Sequence, residues 1–335
     1  MNDYPFVKVP DHDISFVVQG PLGPSPQKLI DSIRRVMPKA ELILSSWTGE
    51  AATVLTGADK ILLSTPPEPL IDFDGRAYNL ALQMVSTLTG IHAATRPYVY
   101  KMRSDHLLEG DGLCLAFADS PTDPASKILK GRLVVSSYFT RDTLKLPVLF
   151  HLSDLAQFGK KEDMLDFWSS PLPTYDVLAQ ESHGKLWRNL WGYCGAVLFR
   201  EAAEQHLVLQ WLARHGHPVR LPHPCAWRRD WFTLWEKTLA ENFYLVDAAD
   251  AGLIFPPRFQ SRSIDRRTLL TQTAFREMCR HPASPARARR CLWTRYVTAW
   301  FLPRYWLVRL YLVLFSLLRG PAEKLRLYIR EKEAT

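Results

Sequence analysis

The chain has 335 residues, 47% of them hydrophobic and 23% charged, which excludes wholesale disorder and allows one large domain or two modest ones. Its net charge of +8 is uneven: residues 251–335 contain 17 Lys and Arg against 5 Asp and Glu, a net +12, which leaves −4 for the first 250 residues. An acidic body with a basic tail indicates that the tail meets any anionic surface, whether nucleic acid or lipid.

Short apolar runs alternate with helical periodicity through the first 110 residues. The predicted strands are "ISFVVQG", "AELILSSW", "DKILLSTPPEP" and "PYVYKMRSD". The predicted helices between them are "PQKLIDSIRRVMP" and "AYNLALQMVSTLTGIHAA". This alternation predicts an α/β fold, an open and mostly parallel sheet flanked by helices on both faces.

The pattern changes after residue 131. "GRLVVSSYFT" is a possible strand, "GKKEDMLDFW" and "FREAAEQHLVLQWLARHG" are helical, and "ENFYLVDAADAGLIFPPRF" indicates strand, turn and strand. We therefore predict one domain over residues 1–260, with a nucleotide-binding half at 14–110 and an acceptor half at 111–260. A basic linker is predicted over 261–290, and C-terminal helices over 291–335.

The five cysteines are odd in number and lack C-x-x-C spacing, which favours reduced thiols over a disulfide framework or a zinc site. The opening "MNDYPFVKVPDHD" lacks the apolar stretch of a secretory signal, so we expect a cytoplasmic protein. No G-x-G-x-x-G or G-x-x-x-x-G-K-[ST] motif occurs, which argues against dinucleotide and P-loop chemistry.

Polar residues cluster where the predicted strands end, and ligands of open α/β sheets bind outside those ends. Gln19 and Gly20 follow the first strand and could approach a base or a phosphate. A mononucleotide or a nucleotide-activated sugar is therefore a possible ligand.

The fourth predicted strand ends in "KMRSDH". Asp105 and His106 could hold a divalent cation, Mg²⁺ or Mn²⁺, on a diphosphate. Lys101 and Arg103 could instead neutralise phosphate charge directly. A solvated turn with a simple ion pair is the alternative interpretation.

Several segments in order resemble the WavE family of lipopolysaccharide and capsule synthesis, whose members resemble GT-A glycosyltransferases. These segments are "ISFVVQGP", "SIRRVMPKAELILSSWTGE", "YNLALQMVSTLTGIHAA", "YVYKMRSDHLL", "LSDLAQFGKKEDM" and "AEQHLVLQWL", within residues 14–259. The resemblance implies a GT-A-like fold and transfer of a sugar from a nucleotide-sugar to a lipopolysaccharide core or surface polysaccharide. Positions 103–105 read Arg-Ser-Asp where GT-A enzymes usually carry an acidic D-x-D, so the resemblance leaves metal dependence open.

The same resemblance suggests roles for residues of the donor side. Gln19 and Gly20 would hold the base or ribose. Asp59 could reach the base, or could cap a loop. Asn79 could contact the nucleotide or orient Arg103, or could be an exposed helix residue.

A general base for the acceptor is expected among carboxylates of the second half. We rank Asp163 first and Asp154 second as the catalytic base. A helix start also stabilises acidic residues electrostatically, so Asp163 could have no catalytic role. Glu204 is predicted to be structural or to contact the acceptor.

The run "YWLVRLYLVLFSLL" is almost uniformly apolar over about fourteen residues, short of the roughly 20 that span a bilayer. Trp and Tyr beside Arg suit the headgroup region, so we predict a C-terminal helical membrane-associating extension that lies on the anionic inner-membrane surface. A helix packed on the body and a spanning helix are the alternatives; nucleic acid is not expected as a partner. An interfacial helix fits an enzyme whose acceptor is a lipid-linked saccharide.

Two rival functions remain open at this point. One keeps the fold but transfers a sugar-phosphate or polyol-phosphate. The other is a non-catalytic membrane-bound subunit of a polysaccharide assembly complex. Retention of Asp105 and Arg103 favours catalysis.

Overall fold

The structure of the protein is a computed structural model that describes residues 6–50, 55–71, 77–117, 123–178, 199–260, 267–298 and 310. Its strands are β1 (Phe6–Lys8), β2 (Ile14–Gln19), β3 (Glu41–Trp47), β4 (Lys60–Ser64), β5 (Leu70–Ile71), β6 (Ala77–Tyr78), β7 (Tyr98–Arg103), β8 (Leu107–Leu108), β9 (Leu115–Phe117), β10 (Leu133–Ser136), β11 (Ala156–Lys160), β12 (Phe243–Val246) and β13 (Leu253–Ile254). Its helices are α1 (Pro26–Val36), α2 (Leu80–Ala93), α3 (Lys161–Trp168), α4 (Tyr175–Leu178), α5 (Ala203–Arg214), α6 (Arg229–Asn242), α7 (Pro257–Gln260), α8 (Gln272–Arg280) and α9 (Pro285–Trp293).

Seven strands form the central sheet, in the order β12-β10-β11-β7-β2-β3-β4. Strands β7, β2, β3 and β4 are parallel, and β10 is parallel to β12. Strand β11 runs antiparallel to both of its neighbours. The mixed α/β fold with a mostly parallel sheet is therefore confirmed, with one reversed strand that the sequence pattern did not indicate.

The parallel strands carry their polar ends to a common edge. Gln19 pairs in register with Ser45 of β3 and with Arg103 of β7. Every residue of β2 and β3 is buried, which requires cover on both faces and explains their nearly continuous apolar sequence. The sheet thus presents the ends of β2, β3 and β7 side by side at one edge.

Helix α2 packs closely on this part of the sheet. A Cβ atom at Gly90 would lie 2.3 Å from Cγ1 of Val17, so glycine is required for the observed approach. Met84 and Ile91 on the same helix are fully buried. This packing fixes the first turn of α2 beside the end of β2.

The predicted linker, residues 261–290, contains two helices that belong to the folded unit. Cys291 and Ala288 of α9 are fully buried. Arg287 binds Glu236 of α6 through hydrogen bonds of 2.8 to 3.1 Å. We therefore correct the boundary at residue 260, because α8 and α9 pack on the domain instead of linking it to another.

The predicted membrane-associating helices, residues 291–335, lie outside the described residues except for 291–298 and Leu310. Among the residues that the structure describes, no helix is long and apolar enough to cross a membrane.

Candidate active site

A cleft of about 510 Å³ lies at the edge where β2, β3 and β7 end. The first turns of α1 and α2 and the loop 20–25 form its walls. The sequence-predicted residues that line it are Gln19, Gly20, Asn79, Arg103, Asp105 and His106. The structure therefore brings together most of the side chains that the sequence assigned to the donor.

The floor of the cleft is set by the end of β2. Oε1 of Gln19 accepts a hydrogen bond from Oγ of Ser86 at 2.9 Å, and its backbone oxygen accepts one from Ser104 N at 2.9 Å. The side-chain nitrogen Nε2 of Gln19 forms no hydrogen bond within the described residues, so it can donate to a ligand. Gly20 has a backbone φ of +107°, a conformation that residues other than glycine rarely adopt.

The cleft receives positive charge from two helix N-termini, from Lys28 and from Arg103 of β7. The N-termini of α1 and α2 meet the cleft at Ser25 and Asn79, and helix N-termini attract anions. The Asn79 side chain does not cap α2. Lys28 also lines the cleft and forms no ion pair within the described part of the chain. An anionic ligand would be stabilised here.

Asp105 is clamped between Arg103 and His106. Arg103 donates Nε to Oδ1 at 3.1 Å and Nη2 to Oδ2 at 3.0 Å, and Nδ1 of His106 lies 2.7 Å from Oδ1. Burial raises the pKa of Asp105, but His106 and then Arg103 outweigh burial and hold the pKa well below its usual value. Burial lowers the pKa of His106 against the pull of Asp105, which favours a neutral imidazole.

The divalent cation expected at Asp105 and His106 does not fit this arrangement. Both oxygens of Asp105 accept hydrogen bonds from Arg103, and Nδ1 of His106 is hydrogen-bonded to the same carboxylate. Its Nε2 is buried, without a hydrogen-bond partner in the described residues, and its ring packs against Phe255 at 5.0 Å. Among the described residues, no group of three His, Cys, Asp or Glu could hold a metal ion.

Two residues predicted for the donor side lie elsewhere. Lys101 is fully buried beneath the cleft, donates Nζ to the backbone oxygen of Asp154 and stacks 4.8 Å from the centre of the Trp168 ring. Burial lowers the pKa of Lys101 to about 8. Asp59 accepts hydrogen bonds from Nη2 of Arg34 and N of Leu42, both at 2.7 Å, and caps the loop before β4. Neither side chain reaches the cleft.

Asp163, ranked first as the catalytic base, lies at the opposite edge of the sheet. Strand β11 is antiparallel to β7, so its carboxyl end, Lys160, pairs with Tyr98 at the start of β7. The Asp163 carboxylate accepts hydrogen bonds from the backbone N of Lys130 and Gly131, each at 2.8 Å. The same reversal carries Asp154, which precedes β11, to the cleft edge, so we take Asp154 and not Asp163 into the candidate site.

Asp154 and Glu204 do not line the cleft but lie near enough to Arg103 to act on its charge. Burial opposes ionisation of Arg103, but Asp105 and, at longer range, Asp154 and Glu204 raise its pKa. Burial raises the pKa of Glu204 to about 7, with a further contribution from Asp154. The Arg103 guanidinium is therefore hydrogen-bonded to Asp105 in the cleft and also interacts electrostatically with Asp154 and Glu204.

Residues 14–300 match the family described as WavE lipopolysaccharide synthesis. The chain belongs to this family. The match extends past residue 259 and includes α8 and α9, in agreement with their packing on the domain.

No curated protein matches this WavE family member. Among solved structures it is similar to "Mannosyltransferase PcManGT from Pyrobaculum calidifontis in complex with GDP-Man and Mn2+", with 14% sequence identity and a TM-score of 0.33. The alignment covers 96% of this chain and 92% of that chain.

Among the cleft residues of this WavE protein, Lys28 and Gln83 carry no motif and were missed from the sequence. Trp47 and Ser104 lie at predicted strand ends but were given no role. Position was the available signal: Trp47 is the last residue of β3, and Lys28 lies in the first turn of the helix after β2. His151 and Arg141, near Asp154, had no such signal because the reversed strand was not predicted.

Proposed function

We propose that this WavE family member is a glycosyltransferase that moves a sugar from a nucleotide-sugar to a growing lipopolysaccharide core or capsular polysaccharide. The cleft carries the proposal, because Arg103, Lys28 and two helix N-termini converge on about 510 Å³ at a parallel sheet edge. That volume suits a nucleotide-sized ligand, and the charge suits a diphosphate. Membership of a lipopolysaccharide synthesis family supports a saccharide of the cell surface as the acceptor.

Four cleft side chains have a role in that reaction. The leaving nucleoside diphosphate gains negative charge as the sugar bond breaks, and Arg103 can stabilise it. Asp105 keeps Arg103 in one orientation through two hydrogen bonds. The side-chain amide nitrogen of Gln19 can donate to a base or ribose, and Trp47, although only 8% exposed, lines the cleft beside it.

A thermal-shift panel of nucleoside diphosphates and nucleotide-sugars tests the proposal. A ligand that binds only the folded state raises Tm, because it stabilises that state by RT ln(1 + [L]/Kd). We expect one nucleotide-sugar and its diphosphate to raise Tm, and Arg103→Gln to remove most of the shift. Arg35→Gln is the matched control, because Arg35 is exposed at the far end of α1. Absence of any shift across the panel would contradict a nucleotide-sugar donor.

We also propose that the acceptor is lipid-linked and that the protein works at the cytoplasmic face of the inner membrane. Helix α9 and the turn after it support this with an exposed face of Arg289, Arg290, Trp293 and Tyr296. Trp293 is 62% exposed and Tyr296 is 50% exposed. Aromatic rings beside arginines suit the headgroup region of an anionic membrane.

A further inference from the structure

A second polar cluster lies across Arg103 from the cleft, where β11 begins. It is built from the segment 137–155 and the first turn of α5, and it contains Arg141, His151, Asp154 and Glu204. The sheet order places this cluster over β11, next to the end of β7. The donor roles described above use none of these four side chains.

Asp154 is a largely buried residue whose carboxylate lacks a hydrogen-bond donor in the described part of the chain. The residue is only 3% exposed, and its backbone oxygen accepts the hydrogen bond from Nζ of Lys101. Within the described residues its carboxylate accepts no hydrogen bond. Because its carboxylate oxygens are not fully enclosed, a ligand with hydroxyl groups can supply the donors that the described residues do not.

Glu204 is the second carboxylate of the cluster and keeps 19% of its side chain exposed. Its nearest partner is Nε2 of His151 at 3.7 Å, too long for a hydrogen bond. Burial and then Arg141 lower the pKa of His151 to about 3, so this imidazole is neutral and does not neutralise Glu204. Nδ1 of His151 has no hydrogen-bond partner among the described residues.

The backbone around this cluster is strained. Phe139 and Phe150 have φ of 73° and 60°, a region that bulky residues rarely occupy. They flank Arg141 and His151, and strained backbone is concentrated at binding and catalytic sites.

We propose that Asp154 and Glu204 form the site for the acceptor hydroxyl and that Glu204 takes its proton. This inference rests on the proposed glycosyltransferase function and names the residues of its acceptor side. The ligand class is a saccharide, whose hydroxyls can donate to both carboxylates and accept from Arg141.

The chemical step balances within this arrangement. The acceptor oxygen forms a bond to the anomeric carbon of the donor sugar, and its proton passes to the Glu204 carboxylate. The bond from the anomeric carbon to the diphosphate oxygen breaks, and its electron pair leaves on the nucleoside diphosphate. Direct attack from the side of β11 inverts the anomeric configuration.

Titration of Glu204 suits this role, because a base works best with a pKa near the working pH. Burial and then Asp154 raise the pKa of Glu204, its own backbone N–H, Arg141 and Arg103 lower it, and the net value is about 7. The groups that face it are Asp154, Arg103, Arg141, His151 and Tyr78.

The test compares pH–rate profiles of the wild type, Glu204→Gln, Asp154→Asn and Glu162→Gln. The readout is nucleoside diphosphate released from the nucleotide-sugar with the largest thermal shift, with deacylated lipopolysaccharide core saccharide as acceptor. We expect wild-type kcat to rise with pH around 7. Glu204→Gln should lower kcat by roughly 10²–10⁴-fold and abolish that rise. Asp154→Asn should move the midpoint to lower pH, because a neighbouring negative charge is removed.

Controls separate this inference from the proposed function. Glu162→Gln, an exposed carboxylate at the opposite sheet edge, should match the wild type. The thermal shift caused by the donor should survive Glu204→Gln. Carbon-13 NMR of labelled glutamate carboxyls adds a readout that does not need turnover: one carboxyl should titrate near 7 and be absent from the Glu204→Gln spectrum.

Two results would overturn the assignment of Glu204. One is full kcat and an unchanged pH profile in Glu204→Gln, and the other is a spectrum without a glutamate titrating near 7. A wild type that binds no nucleotide-sugar would count instead against the proposed function, and a product that retains the donor's anomeric configuration would exclude direct attack from this site.

Discussion

The guanidinium of Arg103 and the carboxylate of Asp105 are joined by two parallel hydrogen bonds of 3.1 and 3.0 Å. Paired bonds of this kind fix both position and plane of an arginine, which a single contact does not. The arginine is therefore held at the strand end that borders the cleft, and in the proposed reaction Asp105 would act on the leaving diphosphate through Arg103.

Asp105→Ala should lower transfer while leaving the protein folded. Arg103 would lose its orienting partner, and we expect kcat to fall by roughly 10²-fold, the scale of one lost transition-state donor. Nδ1 of His106 would be left buried without its partner, so the free energy of unfolding should fall by about 1–3 kcal/mol. Steady-state kinetics and urea denaturation measure the two effects. Wild-type turnover in this variant would show that the pair is only structural.

Removal of divalent cations should leave transfer intact. The oxygens of Asp105 are engaged by Arg103, and the cleft supplies positive charge through Lys28 and two helix N-termini. We expect activity with EDTA to equal activity with added Mn²⁺ or Mg²⁺, and Lys28→Gln to weaken nucleoside diphosphate binding. Loss of activity in EDTA that Mn²⁺ restores would show that Asp105 exchanges Arg103 for a metal when the donor binds.

Glu41 at the start of β3 should contribute to the acid sensitivity of the fold. Its carboxylate accepts hydrogen bonds from Nζ of Lys60 at 2.7 Å, from N of Thr95 at 2.8 Å and from Oγ of Ser15. Burial raises the pKa of Glu41, but these donors outweigh burial and lower it from 4.5 to about 2.

A depressed pKa in the folded state gives stability that is present above about 4.5 and is lost as the pH falls towards 2. Glu41→Gln should therefore destabilise the protein at pH 7, and the difference from the wild type should shrink across that range. Denaturant unfolding at a series of pH values measures it. An equal difference at pH 7 and pH 3 would contradict this origin.

The sequence predicted the donor side of the site better than the acceptor side, for a topological reason. Parallel strands bring their carboxyl ends to one edge, so Gln19 and Arg103 could be placed together from the strand pattern alone. Asp163 followed the same rule and was misplaced, because β11 is reversed and its carboxyl end lies at the other edge. Strand direction depends on pairing with β7 and β10, which local sequence does not encode.

Charge pairing was the second feature that sequence could not supply. Asp59 and Lys101 are of residue types that are common in ligand sites. Asp59 instead binds Arg34, and Lys101 binds the backbone oxygen of Asp154. These partners are separated from them by 25 and 53 positions in the chain. Only the tertiary structure shows that their hydrogen-bonding capacity is already used.

Truncation should locate the end of the folded domain after α9. The Glu236 side chain is 1% exposed and accepts hydrogen bonds from the guanidinium of Arg287. Removing the arginine therefore leaves a buried carboxylate without its main partner. We expect a chain ending at Pro285 to be unfolded or strongly destabilised and a chain ending at Thr298 to fold. In the full chain, Arg287→Gln should cost about 3–5 kcal/mol, as for other broken buried ion pairs.

Circular dichroism and thermal melting of the two truncated chains make this comparison. Arg280→Gln is a suitable control for Arg287→Gln, since Arg280 ends α8 and forms no ion pair within the described residues. A stable chain ending at Pro285 would restore the boundary predicted from the sequence.

The exposed face of α9 should bind anionic membranes. Attraction of Arg289 and Arg290 to anionic lipid is worth about 1 kcal/mol for each residue and is weakened by salt. We expect Arg289→Gln/Arg290→Gln to weaken binding to phosphatidylglycerol vesicles by roughly 30-fold at low salt, the equivalent of about 2 kcal/mol. Trp293→Ala should weaken binding equally at low and high salt, because apolar burial is not screened.

Arg35→Gln/Lys39→Gln is the matched control for the arginine pair, since it removes two exposed positive charges from the first half of the chain. Co-sedimentation of the full chain with anionic and with zwitterionic vesicles measures each affinity. Equal loss in the control pair would indicate a general effect of net charge. Unchanged binding in both Arg289→Gln/Arg290→Gln and Trp293→Ala would place the membrane contact on a surface other than α9.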